Sequence, residues 1–195
     1  LSTGTLLGAA FLDLLPEASD QSSHFLTYAL VGFMGCFVLE KFLSWHHHHK
    51  GEEIHSFSYL ILVGDAIHNV LDGLVIAASF LVSIPLGVVT TLAILLHEIP
   101  QELGDFAILI FGGFNVKKAL FYNFLVQLMC VIGGLAGYYL SSSIEGFSGF
   151  LIPFAAGNFI YIAAADLIPE LNKEQDVQRS AAQFIFLFNF IFSAL

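Results

Sequence analysis

The sequence predicts an all-α fold, a multi-pass transmembrane helical bundle with seven visible spans and inverted repeats. Three observations predict it. Of 195 residues, 57% are hydrophobic and only 11% charged, where an average soluble domain is about 25% charged. The apolar residues gather in runs close to the ~20 residues that carry a helix across a bilayer. Two related stretches also recur near opposite ends of the chain.

The runs fall at roughly 1–17, 25–45, 57–82, 86–111, 117–140, 147–168 and 181–195. Each reads as a membrane helix. The first is short and starts abruptly, and the last is short as well, so seven spans is a lower bound. The chain opens inside an apolar stretch with no basic segment before it, and no signal peptide is visible. Cys36 and Cys130 fall in apolar runs and read as small core residues rather than a disulfide. The net charge of −10 excludes the basic face that nucleic-acid binding requires and suits the handling of cations.

All six basic residues fall in alternate connections. Lys41 and Lys50 flank the second, Lys117 and Lys118 sit in the fourth, and Lys173 and Arg179 sit in the sixth. Basic loops stay on the cytoplasmic side. The third span then runs outward, the fourth runs back, and the C-terminus lies outside. This orientation makes His46-His47-His48-His49 cytoplasmic, in a polar loop extended by Glu52, Glu53 and His55. A His-rich tract can hold metal as an accessory to a site elsewhere; otherwise it is a solvated loop.

Residues 4–17 (GTLLGAAFLDLLPE) align with residues 157–170 (GNFIYIAAADLIPE). The shared positions include Gly4/Gly157, Asp13/Asp166, Pro16/Pro169 and Glu17/Glu170. By the charge rule the first copy ends outside and the second inside, the relation found in inverted-repeat transporters. The plainer reading is a common way of ending a membrane helix.

The third and fourth spans carry the chemistry. His68 and Asp72 are four apart and share a helix face, and Asp65 extends that stripe by three. Asn69 lies on a neighbouring face. Gly64 and Gly73 allow close approach of another helix. On the fourth span His97 and Gln101 are four apart, as are Glu98 and Glu102, with Asp105 three further on. Pro100 removes a backbone donor, kinks the helix and frees the carbonyl of residue 96. Ionisable residues at membrane depth mark functional sites, and here no intramembrane Lys or Arg neutralises five carboxylates. Imidazole with carboxylate suits Zn²⁺ and other first-row divalent ions. The cluster lacks the thiolates Cu(I) would want, and Ca²⁺ or Mg²⁺ would favour oxygen alone. The competing account is a structural network of His–Asp pairs.

His68-Asn69-x-x-Asp72-Gly73 followed by His97-Glu98-x-Pro100-x-Glu102 resembles the signature of the ZIP (Zrt/Irt-like) family of divalent-metal transporters, in the branch with HNxxDG and HExPxELGD motifs. The resemblance covers nearly the whole chain, including LDLLPEA at the end of the first run, Leu39-Glu40-Lys41, and AGNFIYIAAADLIPE. It implies one transporter domain over 1–195 and eight spans with both termini outside, the first family span being missing here. The His-rich loop, residues 46–55, would be cytoplasmic. It also implies zinc as the transported substrate, with Fe, Mn and Cd as further candidates, moving through the cell membrane towards the cytoplasm by alternating access.

The implied two-site centre takes His68, Asp72, His97 and Gln101 at one site and Asn69, Glu98 and Glu102 at the other. The branch usually has His where this chain has Gln101, so the first site would hold metal less tightly. Asp13 and Glu17 would lie near the external mouth, Asp166 and Glu170 near the internal one. The partners implied are metal ions and the lipid bilayer, with room for a homodimer. Two other readings stand beside this one. His97-Glu98-Ile99-Pro100-Gln101 with Leu71-Asp72-Gly73 is a near miss to an intramembrane zinc metalloprotease, which would need His at 101. A metal-binding membrane sensor would need the ion but no flux.

Overall fold

The computed structural model describes residues 2–45 and 54–173, with residues 180, 183 and 185 beyond them. The tract His46–His49 and nearly all of the run at 181–195 lie outside the described residues. Every secondary-structure element among those described is helical: α1 Ser2–Gly8, a π-helical stretch Ala9–Leu14, α2 Leu15–Gln21, α3 Phe25–Trp45, α4 Ile54–Val82, α5 Ile84–Phe111, α6 Val116–Ser143, α7 Phe147–Ile162, a second π-helical stretch Ala163–Leu167, and α8 Ile168–Leu171. The fold is a multi-pass helical bundle. Four helical segments, Ile61–Val82, Ile84–Phe111, Val116–Ser143 and Phe147–Ala165, are long and apolar enough to cross a membrane.

Polar and apolar residues are distributed inside out. On α5 the large residues Leu92, Leu95, Ile99 and Leu103 are exposed while His97 and Glu98 are buried. On α6 Phe121, Phe124, Leu128, Val131 and Leu135 are exposed at the same three-to-four spacing, and Asn123 is buried. A helix that turns its apolar stripe outward and its polar residues inward is matched to lipid rather than water.

The connection between α4 and α5 is a single residue, tighter than the 83–85 loop expected. Ser83 caps α5, accepting the amide of Leu86 at 3.3 Å, and Pro85 occupies its first turn, where a missing N–H does no harm. The two helices then run antiparallel, tied by a hydrogen bond from Thr90 Oγ1 to Ser79 Oγ at 3.2 Å. This hairpin brings His68 opposite His97. The cores of α1, α4, α5 and α7 meet around Leu6, Leu14, Ala78, Ile94, Ala155 and Phe159.

Two glycine-lined crossings set the remaining helices. At Gly73 a methyl group would overlap the backbone of Cys130 and Gly134, and at Gly133 it would strike the Val70 carbonyl. α6 therefore lies directly on α4, where Gly73 promised a close neighbour. The second crossing joins α3 to α7, with Gly32 against the Phe154 backbone and Gly157 against that of Ala29. Small residues at such contacts let membrane helices pack where hydrophobicity supplies no drive.

The two halves of the sequence repeat adopt the same irregular geometry. In the first, the Leu15 amide donates to the Ala10 carbonyl; in the second, the Ile168 amide donates to the Ala163 carbonyl. These are five-back bonds at equivalent positions, each just before a proline (Pro16, Pro169). Asp13 lies in the first π stretch and Asp166 in the second.

Candidate metal centre

α4 and α5 place four side chains around one point. His68 Nε2 lies 3.1 Å from His97 Nε2, 3.6 Å from Asp72 Oδ2 and 3.3 Å from Glu98 Oε1. His97 Nε2 lies 3.6 Å from each of the same two oxygens. Ligands at the corners of a tetrahedron, bound to zinc at 2.0–2.2 Å, sit about 3.3–3.6 Å from one another. Five of the six edges of this group are thus near the length zinc requires. Asp72 Oδ2 and Glu98 Oε1 are buried and have no hydrogen-bond partner.

The tautomer of one imidazole follows from its surroundings. His97 Nδ1 faces the Ala93 carbonyl at 3.1 Å, an oxygen that can only accept. The proton therefore sits on Nδ1, and Nε2 turns a lone pair into the cluster. Metal-binding histidines are commonly oriented in this way.

A second group adjoins the first. Ligand atoms of Asp65, Glu98 and Glu102 lie within 4.8 Å of one another. Three amides hold these acids. Gln101 Nε2 donates to Asp65 Oδ1 at 2.9 Å. Asn69 Nδ2 donates to Asp65 Oδ1 and to the Asp65 carbonyl, each at 3.2 Å. Gln127 on α6 donates from Nε2 to both Glu98 and Glu102.

Of the residues expected at the first site, the structure gathers His68, Asp72 and His97, and adds Glu98. Gln101 turns its amide to Asp65. Of those expected at the second, Glu98 and Glu102 are together, joined by Asp65, while Asn69 faces Asp65. The carbonyl of Leu96, freed by Pro100, accepts the Ser2 hydroxyl at 2.6 Å and so is already occupied.

Gln127 escaped the sequence reading. Its only signal is an amide in an apolar run, four residues after Asn123, whose Nδ2 donates to the Glu102 carbonyl at 3.1 Å. Glu40 was missed as well; it accepts a hydrogen bond from Tyr161.

A cavity of about 630 Å³ opens beside the cluster, lined by His68, His97, Gln101, Asp65, Asp105 and Glu40, among others. It runs towards the end of the bundle where α3 stops and α4 starts. Asp13 and Glu17 lie apart from the cluster, in the first π stretch and α2, and Glu17 accepts from Gln21 at 2.9 Å. Asp166 and Glu170 are placed by their backbone in the second π stretch and α8.

Known proteins with similar sequences are metal transporters by name. The family model described as ZIP Zinc transporter matches residues 48–189. The chain is 38% identical to the zinc transporter ZIP13 of Pongo abelii, over 94% of this chain and 61% of that protein. It is 44% identical to the zinc transporter zipt-7.1 of Caenorhabditis briggsae, over 64% of this chain and 33% of that one. It is 42% identical to the metal cation symporter ZIP14 of Xenopus tropicalis, over 62% and 26% respectively. The chain thus spans less than two thirds of the length of each of these curated relatives. No solved structure matches. The relatives are transporters, which sets the protease reading aside. Antiparallel helices bearing His68-Asn69-x-x-Asp72 and His97-Glu98-x-Pro100-x-Glu102 meet at a buried metal-binding geometry, and the chain belongs to the ZIP zinc transporter family.

Proposed function

We propose that this chain carries divalent metal ions, zinc first, across a lipid bilayer towards the cytoplasm. One observation carries the reading: two imidazole nitrogens and two partnerless carboxylate oxygens lie 3.1–3.6 Å apart inside a helical bundle. Buried carboxylates without partners are costly unless a cation joins them. His68, Asp72, His97 and Glu98 hold the ion at mid-membrane. The names of the relatives, zinc transporter and metal cation symporter, support the same cargo class, with Fe, Mn and Cd as further ions.

The direction is the one that the resemblance to the family implies. The cavity leads from the cluster to the end of the bundle that carries Lys41, the cytoplasmic side by the positive-inside rule. Asp65, Glu102 and Asp105 line or adjoin the inward route. Asp13 and Glu17 serve the external mouth, Asp166 and Glu170 the internal one. The His46–His49 loop is a cytoplasmic accessory that gathers released metal, and the C-terminus lies outside. Residues 1–195 act as one transporter domain in the cell membrane, alone or as a homodimer. Alternating access moves one helix group against the other.

The test is zinc uptake into proteoliposomes containing a zinc-sensitive dye. The parent should fill the vesicles, and His68→Ala and His97→Ala should not, with helical content unchanged. A parent that binds zinc at one equivalent but moves none would replace the transporter with a sensor.

A further inference from the structure

We infer that Phe159, on a helix that gives the metal cluster no ligand, is a positioning residue for it: its ring holds the His97 imidazole in the orientation that aims Nε2 at the ion. The inference rests on the reading of His68, Asp72, His97 and Glu98 as the ion's ligands and names the residue that orients one of them.

His97 needs a second restraint. Its Nδ1 proton goes to the Ala93 carbonyl at 3.1 Å, one turn back on its own helix, where the same oxygen also takes a backbone amide. One shared hydrogen bond fixes one atom of the ring and lets the ring pivot about it. A ligand that pivots holds metal less well, which is why the orientation of a metal-binding imidazole is usually fixed by its neighbours.

Phe159 supplies the restraint. The two rings meet edge to face, with centroids 6.0 Å apart and planes inclined at 63°, inside the range where aromatic pairs attract. Phe159 is 1% exposed, the largest fully buried side chain among the described residues. It packs in the core with Leu6, Leu14, Ile94 and Ala155 and is absent from the cavity wall, which His97 does line. His97 therefore has the cavity on one side and a close-packed ring on the other. A side chain in so dense a core keeps to one rotamer.

Phe159 is itself held from behind. Gly157 lies against the Ala29 backbone, Asn158 accepts a hydrogen bond from the Cys36 thiol, and Tyr161 donates one to Glu40. These contacts fasten one stretch of α7 to α3. Thus α3 anchors α7, α7 aims Phe159, and Phe159 aims a ligand carried by α5.

The experiment titrates the purified protein in nanodiscs with Co²⁺, whose visible absorption is strong in a tetrahedral site and weak in a six-coordinate one. Zinc affinity is then read by displacement of the cobalt. Phe159→Leu keeps the position apolar and removes the ring. The cobalt absorption should fall and zinc affinity should weaken about 10-fold, the range for losing a group that orients a ligand. Ile152→Val trims the same core on the same helix and should leave both readouts as in the parent. In a His97→Ala background, Phe159→Leu should bring no further loss, because its effect passes through that imidazole. If Phe159→Leu does not fold, Phe159→Met carries the same expectations.

A Phe159→Leu protein with the parent's spectrum and zinc affinity overturns the inference. So does a loss that Ile152→Val reproduces, or one that persists undiminished without His97, since either is a general effect of core packing. The transport reading fails separately: a protein whose zinc binding depends on Phe159 in this way, yet moves no zinc into vesicles, keeps the inference and loses that function.

Discussion

The two halves of the candidate metal centre share Glu98 yet are built on opposite terms. Around His68, Asp72 and His97, His97 turns a lone pair inward and the facing oxygens of Asp72 and Glu98 have no hydrogen-bond partner. Around Asp65 and Glu102, amides from Gln101, Asn69 and Gln127 already occupy one oxygen of each acid. The first half is incomplete without a cation. The second is partly satisfied by the protein and tolerates the ion's departure.

The contrast is broken most completely at the histidines. His68→Ala or His97→Ala removes one of four candidate ligands, and zinc binding measured by calorimetry should fall by at least about 100-fold. Next comes Gln127→Leu, which strips the donor from Glu98 and Glu102 together. Zinc uptake should drop about 10- to 100-fold with helicity retained in circular dichroism. Acidification sharpens the contrast without mutation. Protons compete with metal for the imidazole lone pairs, so zinc affinity should fall between neutral and mildly acidic pH. Gly133→Ala pushes α6 off the Val70 carbonyl and should cost about 1–3 kcal/mol in unfolding experiments, disturbing Gln127 more than the histidines. Ser2→Ala, which leaves the Leu96 carbonyl unpaired, should have the smallest effect, about 1 kcal/mol.

Periodicity made the third and fourth runs legible as helices, and spacing of three and four made their polar faces legible too. His68, Asp72 and His97 could be grouped on that basis because ligands on one face of a helix stay together whatever the neighbour does. The role of Gln101 could not. Its spacing from His97 puts it on the histidine face, but whether its amide turns to the histidines or to Asp65 is decided by how α5 lies along α4. Gln127 was hidden for the same reason, since nothing near it in sequence announces that Gly73 and Gly133 draw α6 onto α4. The repeat was visible as matched letters, whereas the shared five-back bond appears only in the backbone.

That shared bond has a mechanical meaning. A π-helical turn carries one surplus residue, and one residue of α-helix is about 100° of rotation but only 1.5 Å of length. Each repeat therefore contains a built-in twist placed just ahead of its proline, at Ala9–Leu14 and again at Ala163–Leu167. Deleting a single residue there would hardly shorten the rod. It would turn everything on one side of it relative to the other, like a key cut one notch out of line, and the acid that follows the first stretch, Glu17, would leave its present bearing.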